Sequence, residues 1–449
     1  MFRYDGKLAD SIFDYCRWRL SLDPVPLDYG GGAERLDQHL EGLIRPEGSD
    51  AEEVLRIFSE HLATRIVSCD SPRFLSFIPA APTKAALLFD MVVSCSSLQA
   101  TSWLEAAGAV AAENQALRFL ADLAGMPAGA GGCFVAGGTA GNLSALLVAR
   151  DTAGRRGVGP GGRAGRPLVA VSEEAHSSVS KAAHVIGAGL LLVPTADHRL
   201  TGAALEAALE ADPRSEDVIA VVATGGTTNA GLVDDLAGVG EVARSRRLWF
   251  HVDAAYGGAA MLSPRARPLF AGIEEADSFI VDPHKWLFAP FDCAALLYRE
   301  PRLARAVHTQ DAAYLDPVHD DDQWNPSDFA VHLTRRARGL PLWFSLAVNG
   351  TDAYREAVES AIELAREAAR LVRAAGHLEL VREPELSVVL FRRLGWDREE
   401  YARWSSRLLA RQTAFVLPTT WEGEPVARLA FLHPDTTPEM VGEIIDSMR

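Results

Sequence analysis

Five short apolar runs recur between residues 168 and 298, and helical or turn-rich segments separate most of them. The runs are LVAVS (168–172), VIAVVAT (218–224), LWFHVD (248–253), SFIVD (278–282) and AALLY (294–298). Strand-length apolar runs that alternate with helical segments are typical of an α/β domain with a largely parallel sheet. The last two runs are close together in sequence, so we expect one antiparallel, hairpin-like strand there. This alternation predicts the α/β fold class for the central part of the chain.

The flanking segments have a different character. The first 65 residues have a helical, polar pattern, and their amphipathic stretches offer too little apolar surface to fold alone. From about residue 345, a long helical segment leads into further short apolar runs and a final helix, which predicts a smaller α+β domain. We therefore expect domains at 1–75, 76–345 and 346–449.

The charge balance narrows the range of partners. The 449 residues include 44 basic and 60 acidic side chains, which gives a formal net charge of −16. This acidic balance argues against a nucleic-acid or anionic-membrane partner, since either would need a basic face on the protein. The five cysteines are scattered without CxxC spacing, so we expect neither a disulfide framework nor a cysteine-built zinc site. We find no secretory signal and no apolar run of membrane-spanning length, and we expect a cytoplasmic protein.

A lysine and an aspartate each follow an apolar run. Lys285 lies in VDPHKWLFAP beyond one predicted strand, and Asp253 ends another in HVDAAYGGAA. Because catalytic residues of α/β sheets lie at the carboxyl ends of strands, we expect the two side chains in one crevice. Together they suit pyridoxal phosphate chemistry, in which the amine forms a Schiff base and the carboxylate pairs with the protonated pyridine nitrogen. The alternatives are a snorkelling lysine and an aspartate that caps a helix or forms a salt bridge.

Glycine-rich turns are candidates for holding the cofactor phosphate. In FVAGGTAGNLSALLVAR (134–150), apolar residues lead through two glycines and Thr139 into a helical segment. Backbone N–H groups at such a helix start bind phosphate, although a plain strand-turn-helix connection has the same pattern. A second turn, ATGGTTNAG (223–231), offers Thr227 or Thr228 to the phosphate or to the ring hydroxyl.

A third glycine-rich segment, GRRGVGPGGRAGR (154–166), is expected to be a surface loop. It contains a GxGxxG at Gly157, Gly159 and Gly162. A dinucleotide site would need a strand before the motif and a helix after it, and here the order is reversed. We therefore do not interpret the motif as a nucleotide site.

His176 follows the first of the five apolar runs, in SEEAHSSVSKAA (172–183). At a strand end, its imidazole is placed to stack on one face of a pyridine ring. A histidine that caps or packs at a helix start fits the same residues equally well.

Taken together, these motifs resemble those of the group II pyridoxal-phosphate-dependent amino-acid decarboxylases, the family of the aromatic amino-acid and glutamate decarboxylases. The resemblance covers most of the chain, and its most specific part is DPHKW with HVDAAYGG at this spacing. The segments that resemble family blocks, in the family's order, are PRFLSFIPA (72–80), AGGTAGNLSALLVAR, SEEAHSSV, HVDAAYGG, DPHKW, RRARGLPLWFSLAVNG, PELSVVLFRR and VARLAFLHPDTT.

The resemblance implies a fold-type I architecture. In such proteins an amino-terminal arm precedes a large cofactor domain with a mostly parallel seven-stranded sheet, and a small carboxyl-terminal domain follows. The resemblance also implies a homodimer with two active sites at the interface. The arm, residues 1–75, would then pack on the partner subunit, which suits helices that are too weak to fold alone.

The resemblance also implies roles for individual residues. The matching positions are Lys285 for the Schiff-base lysine, Asp253 for the partner of the pyridine nitrogen, His176 for the histidine stacked on the ring, and Ala255 for the small residue on the opposite face. The positions that match the phosphate neighbourhood are Thr139, Ala140, Asp282 and His284. Asp282 departs from the asparagine found in some members, and an anion there would have to face a backbone amide or a hydroxyl.

The loop after Tyr314 departs from the family pattern. Many members carry a tyrosine on this mobile loop, which protonates Cα once carbon dioxide has left, whereas LDPVHDDDQWNPSDFAVHLTRR (315–336) has none. The titratable candidates are His319 and His332. We favour His319, because it lies in a polar, turn-rich segment and the three aspartates that follow it would keep it protonated. A solvated loop residue is the alternative.

The expected reaction is removal of the α-carboxylate from an L-amino acid, which gives an amine and carbon dioxide. Phe77, Ile78 and Trp103 suggest an apolar substrate pocket, although Arg73 would suit an acidic side chain. Without the loop tyrosine, decarboxylation coupled to oxidative deamination, which gives an aldehyde, stays open. A catalytically weak homologue that serves as a subunit is the other alternative.

Overall fold

The computed structural model describes residues 2–28, 36–78, 81–155, 165–319 and 323–449, except for the side chains of Tyr314 and His319. The chain forms two compact units. The first comprises Met1–Pro79, Arg366–Glu383 and Val389–Arg449, and the second comprises Ala80–Ala365 and Pro384–Val388. The domain boundaries expected from the sequence remain a prediction.

Helices account for much of both units. The described α-helices are α1 (Gly6–Ser21), α2 (Asp37–Leu40), α3 (Ala51–Ile57), α4 (Lys84–Cys95), α5 (Trp103–Leu123), α6 (Gly138–Arg155), α7 (Ser177–Val185), α8 (Gly202–Ala211), α9 (Leu236–Arg246), α10 (Pro301–His308), α11 (Asp316–His319), α12 (Leu340–Ala374), α13 (Arg398–Ala410) and α14 (Pro438–Asp446). Gly125 follows the end of α5 with a φ of +73°, a left-handed conformation that favours glycine. Within the described ranges, no helix is both long enough and apolar enough to cross a bilayer.

The second unit is built around a seven-stranded sheet. Its strands are β1 (Gly131–Val135), β2 (Leu168–Ser172), β3 (Gly189–Val193), β4 (Val218–Thr224), β5 (Trp249–Asp253), β6 (Ser278–Val281) and β7 (Ala294–Tyr298). The order across the sheet is β1-β7-β6-β5-β4-β2-β3; β7 is antiparallel to both of its neighbours, and the other pairs are parallel. The predicted α/β fold is confirmed, with a mostly parallel sheet and an antiparallel strand beside β6.

Burial explains why the five apolar runs form strands. Strands β2, β4, β5, β6 and β7 are buried along their whole length, as expected for a sheet covered on both faces. Strands β1 and β3 are less apparent from the sequence. Strand β1 begins with two glycines, and β3 follows α7 after three residues, so its apolar run merges with the helical pattern.

The structure describes the secondary structure on either side of the GxGxxG motif. The motif itself, at Gly157, Gly159 and Gly162, lies outside the described residues. Helix α6 ends before it and strand β2 begins after it. This helix-then-strand order is the one that argues against a dinucleotide site.

The strand register sets where the site lies. Thr224 in β4 pairs with Asp253 in β5, and Asp253 pairs with Ile280 in β6. The three parallel strands therefore end at the same edge of the sheet. Residues that follow them are brought together there, where open α/β sheets bind their ligands.

The first unit contains a smaller sheet. Its strands are β8 (Leu378–Leu380), β9 (Val388–Arg393), β10 (Thr419–Trp421) and β11 (Glu424–Ala430), in the order β10-β11-β9-β8. Leu75, from the amino-terminal segment, donates its N–H to the Phe415 carbonyl and accepts from the Ala430 N–H. The small α+β domain predicted for the carboxyl-terminal part of the chain is confirmed.

A buried ion pair joins α5 to the segment that leads into α12. Arg335 donates from both terminal nitrogens to the Glu113 carboxylate, at 2.7 and 2.8 Å, and both side chains are 2% exposed. Arg335 also donates to the Ala100 carbonyl, and Glu113 accepts from the Gly339 N–H. Loss of one partner from such a pair leaves a buried charge without compensation, which is strongly destabilising.

We predict that Arg335→Met lowers the free energy of unfolding by about 3–5 kcal/mol, because Glu113 is left buried without its counter-charge. Arg370→Met, which removes an exposed arginine paired with Glu367, should cost less than about 1 kcal/mol. Urea titrations of both variants, followed by circular dichroism, measure the difference. A cost for Arg335→Met no larger than that for Arg370→Met would contradict this role of the buried pair.

Candidate active site

A cavity of about 240 Å³ lies at the sheet edge where β4, β5 and β6 end. The expected site residues that line it are Thr139, His176, Thr228, Asp253, Ala255, Asp282, His284 and Lys285, together with Gly137 and Gly138 of the first glycine-rich turn. Five further lining residues are not apparent from the sequence: Asn142, Ser178, Thr224, Gly226 and Tyr256. All of these residues belong to the second unit, so one compact body carries the cavity.

Two residues that the sequence places near the phosphate form hydrogen bonds within their own segments instead. Ala140 lies in the first turn of α6, and its N–H donates to the Gly137 carbonyl. Thr227 accepts a hydrogen bond from the Leu232 N–H within its own turn. Neither Ala140 nor Thr227 is among the described residues that line the cavity.

The residues expected to contact the substrate fall in both units. Trp103, in the second unit, begins α5 and is not among the described residues that line the cavity. Phe77 and Ile78 belong to the first unit, where Phe77 is exposed and Ile78 is partly buried. His319 ends α11, but its side chain lies outside the described residues.

Asp282 is the centre of a charged corner of the cavity. Its side chain is 2% exposed, and its Oδ2 lies 3.0 Å from Lys285 Nζ and 3.5 Å from His284 Nε2. The same oxygen accepts a hydrogen bond from the Gly138 N–H at 3.2 Å, at the start of α6. Asp282, where some family members have asparagine, therefore faces a backbone amide and a lysine, which offset its charge.

His284 has a defined proton arrangement. The Cys293 N–H donates to His284 Nδ1 at 2.9 Å, so the neutral ring carries its proton on Nε2, on the side of Asp282. Burial lowers the pKa of His284 below its usual value, and the charge of Asp282 opposes that shift only in part. His284 is therefore a neutral hydrogen-bond donor at pH 7.

Asp253 ends β5 and is buried, with 5% of its surface exposed. Its Oδ1 accepts from the Ala255 N–H at 3.2 Å, and its Oδ2 accepts from the Asn142 side-chain amide at 2.8 Å. The small residues that follow Asp253 let the backbone turn back towards the carboxylate. Two donors therefore hold an anion at the wall of the cavity.

Two buried polar residues lie behind Asp253. Asn142 and His251 are both 0% exposed, and His251 Nε2 lies 2.9 Å from Asn142 Oδ1. Burial lowers the pKa of His251 to about 4, despite the opposing charge of Asp253, so the ring is neutral at pH 7. A histidine inside an apolar strand is the signal that points to such a network, because a buried polar side chain needs an internal partner.

His176 lies immediately before α7 and caps it. The Ser178 N–H donates to His176 Nδ1 at 3.2 Å, and Ser178 Oγ lies 2.8 Å from the same nitrogen. His176 is exposed and lines the cavity. The two interpretations of the sequence are therefore compatible, since the residue caps a helix and also borders the site.

His332 is held by contacts of its own. Its Nε2 donates to the Pro326 carbonyl at 3.1 Å and lies 4.0 Å from Cys133 Sγ. Burial lowers the pKa of His332 to about 4, so its ring is neutral at pH 7. A neutral imidazole bound to a backbone carbonyl is a poor proton donor, and His332 is not among the described residues of the cavity wall.

The cavity has hydrogen-bonding capacity that the protein does not use. Thr224 Oγ1 and Asp282 Oδ1 are buried and make no hydrogen bond within the described residues. The backbone at Gly138 also lies close to other lining residues. A Cβ added at Gly138 would lie 3.2 Å from Asp282 Oδ2 and 3.3 Å from the Cβ of Ala255. Gly226 has a φ of +116°, which a side chain would strain. These features fit a polar ligand held closely by backbone and side chains.

Comparison with known proteins identifies the family. Residues 36–394 match the model of the pyridoxal-dependent decarboxylase conserved domain. The chain is 29% identical to an aromatic-L-amino-acid decarboxylase of Bacillus atrophaeus, over 98% of this chain and 93% of the relative. It is 32% identical to an L-2,4-diaminobutyrate decarboxylase of Rhizobium meliloti, over 81% of this chain and 74% of the relative. A solved structure of Oryza sativa TDC with PLP and tryptamine matches with a TM-score of 0.91 at 24% identity, over 99% of both chains.

The cavity fits the cofactor of this family. Its primary amine, its buried carboxylate and its glycine-rich helix start are the groups that an aldehyde, a pyridine nitrogen and a phosphate require. Thr224 Oγ1 and Asp282 Oδ1, which have no hydrogen-bond partner in the described part of the chain, leave capacity for further polar contacts. The resemblance seen in the sequence is confirmed: the chain belongs to the pyridoxal-dependent decarboxylase family, and it is a lyase that decarboxylates amino acids with pyridoxal 5′-phosphate as its cofactor.

Proposed function

We propose that this protein decarboxylates an L-amino acid with an aromatic or apolar side chain and releases the amine and carbon dioxide. One observation carries the proposal: Asp253, which ends β5, and Lys285, which follows the neighbouring strand β6, line the same cavity. Bound pyridoxal phosphate supplies an electron-accepting ring that stabilises the negative charge left on Cα when carbon dioxide departs. The residues of the chain then have to hold that group, orient the substrate and deliver a proton.

Lys285 would hold the cofactor, because its primary amine is the group in the cavity that suits an aldehyde. Asp282 Oδ2 lies 3.0 Å from Lys285 Nζ and holds the ammonium form in place. Because Asp282 also accepts from the Gly138 N–H, loss of the lysine charge does not leave the carboxylate without a partner. Asp282 therefore suits both charge states of Lys285.

Asp253 is proposed to pair with the protonated pyridine nitrogen. A carboxylate beside a titrating nitrogen favours its protonated form, typically by about 1–3 pKa units. The hydrogen bonds from Ala255 and Asn142 hold both carboxylate oxygens in place. The charge partner of the ring is therefore fixed before the cofactor binds.

The other lining residues are proposed to contact the ring faces and the phosphate. His176 would stack on one face of the ring, and Ala255 would pack against the other. The proposed neighbours of the phosphate are Thr139, Ala140, Thr228, Asp282 and His284. The Ala140 N–H is already bonded to the Gly137 carbonyl, so a packing role is left for Ala140.

An aromatic or apolar substrate is favoured because the arginine considered for an acidic side chain is already paired. Arg73 donates to the Glu443 carboxylate at 2.6 Å and to the Thr413 carbonyl at 2.7 Å. The ring of Phe77 contacts those of Phe74 and Phe415, and because the residue is 60% exposed it still offers apolar surface to a substrate. We therefore keep Phe77, with Ile78 and Trp103, as the proposed substrate-contacting residues.

We further propose a homodimer with active sites at the subunit interface. Helix α1 has no buried residue, although it carries Phe13 and Trp18. Leu88 and Val92, one turn apart on α4, are also exposed. Large apolar side chains grouped on a surface are typical of faces that a partner covers. A second copy of the chain would cover them, with the arm at 1–75 packed on it.

The site assignment can be tested by covalent mapping, because the chain has only four lysines: Lys7, Lys84, Lys181 and Lys285. We predict that borohydride fixes the cofactor on the Lys285 peptide of the loaded protein. Lys285→Ala should abolish turnover but still bind the cofactor through its phosphate. Lys181→Ala, at an exposed position of α7, is the matched control and should keep full activity. Reduced cofactor on any other lysine would show that the assignment is wrong.

We predict that Asp253→Ala lowers kcat about a hundredfold at full cofactor occupancy. Loss of a shift of about 2 pKa units in the ring nitrogen is equivalent to roughly 2.7 kcal/mol. Asp253→Glu, which keeps the carboxylate, should have a smaller effect. Activity is measured after the cofactor content has been determined by absorbance. Near-normal turnover by fully loaded Asp253→Ala would contradict the role proposed for this carboxylate.

The products formed by His319→Ala test the proposed proton donor. A positioned general acid contributes about 10²–10⁴-fold to proton transfer. We predict that the variant forms less amine and consumes oxygen, since the oxidative route takes up O₂ and water and releases aldehyde, carbon dioxide, ammonia and hydrogen peroxide. His332→Ala, which removes a ring bound to the Pro326 carbonyl, should keep the wild-type product ratio. An unchanged ratio and rate in His319→Ala would exclude His319 as the donor.

A further inference from the structure

A continuous chain of hydrogen bonds runs along the wall of the cavity from Asp253 to His176. Asn142 Nδ2 donates to Asp253 Oδ2 at 2.8 Å and to Ser178 Oγ at 2.9 Å. Ser178 Oγ in turn lies 2.8 Å from His176 Nδ1. Asn142 and Ser178 are buried, with 0% and 4% of their surfaces exposed. Two buried side chains therefore join the proposed partner of the ring nitrogen to the proposed stacking residue.

Donor and acceptor chemistry fixes the direction of this chain at its Asp253 end. A carboxylate only accepts, so it faces the amide NH₂ of Asn142, and the amide oxygen then faces His251. That oxygen also only accepts, so His251 Nε2 carries a proton. The pKa of about 4 keeps His251 neutral, so its Nδ1 is bare and accepts from the Ser278 hydroxyl. The Trp249 indole N–H, which only donates, is bonded to the Ser278 oxygen.

The same reasoning fixes the direction at the His176 end. The Ser178 backbone N–H can only donate, so His176 Nδ1 is an acceptor, and Ser178 Oγ, which accepts from Asn142, is left to donate its own hydrogen to Nδ1. The Ser178 backbone N–H points to the same nitrogen at 3.2 Å. His176 Nδ1 therefore faces two donors, and the neutral ring carries its proton on Nε2.

We propose that Asn142 and Ser178 are positioning residues that hold His176 as the Nε2–H tautomer, with its ring fixed at the wall of the cavity. Because stacking of His176 on the cofactor belongs to the proposed function, this role rests on that function. It adds a property that stacking alone does not require: the ring offers one defined hydrogen-bond donor to a ligand in the cavity.

The tautomer of His176 can be read directly by nitrogen-15 NMR of the full-length protein labelled in histidine, with His176→Gln to assign its signals. We expect the Nε2–H form to dominate in the wild type, with and without cofactor. Ser178→Ala removes the hydroxyl donor but keeps the backbone N–H. We expect about a fivefold fall in the ratio of Nε2–H to Nδ1–H, as for the loss of one hydrogen bond of about 1 kcal/mol.

Two further variants control for side effects of the substitution. Ser178→Thr keeps the hydroxyl and should restore the wild-type tautomer ratio. Ser177→Ala changes the adjacent, exposed serine and should leave the ratio unchanged. This pattern would separate the hydroxyl of Ser178 from a general effect on the start of α7.

Two results would overturn the proposal. A wild-type His176 with its proton mainly on Nδ1 would do so without any variant. An unchanged tautomer ratio in folded Ser178→Ala, with only a lower melting temperature, would also do so, because a purely structural role alters stability and not the tautomer. The ratio is measured without turnover, so failure of the proposed decarboxylation and failure of the tautomer assignment are distinguishable.

Discussion

The register of three parallel strands is the constraint on which the site depends. Thr224 is level with Asp253, and Asp253 is level with Ile280, so β4, β5 and β6 end together. Side chains alternate along a strand, so a slip of one residue in β5 would turn Asp253 to the other face of the sheet. The strands are buried along their full length, and this burial specifies the register. The packing of the core thereby sets the geometry of the cavity.

Burial also makes each polar group at the cavity depend on a partner. A buried carboxylate needs hydrogen-bond donors, and Asp253 and Asp282 accept hydrogen bonds from Asn142 and from the Gly138 backbone, respectively. Neutral His251 completes the contacts of Asn142. Uncharged donors, together with Lys285 in the case of Asp282, therefore hold both carboxylates at the cavity wall. Thr224 Oγ1, which has no such partner among the residues that the structure describes, lines the cavity where the ligand is expected.

Much of this arrangement could be predicted from the sequence, for identifiable reasons. Strands β2, β4 and β7 coincide with their apolar runs, because strands that are buried on both faces of a sheet are continuous apolar segments in the sequence. Lys285 and Asp253 stand out because a charge at the end of such a run is unusual. Asn142 and His251 do not stand out as a pair, since they are 109 residues apart and only the fold brings them together. The loop around His319 carries no periodic pattern from which its position could be derived.

Removal of the α-carboxylate by this cavity is tested most directly by the release of labelled carbon dioxide from carboxyl-labelled amino acids. The protein would be assayed at measured cofactor occupancy with each common L-amino acid and with L-2,4-diaminobutyrate. We predict release from aromatic or apolar amino acids, dependent on pyridoxal phosphate and lost in Lys285→Ala. Absence of release from every substrate by the fully loaded wild-type protein would contradict the assignment of this site, and release from diaminobutyrate alone would contradict the proposed side-chain preference.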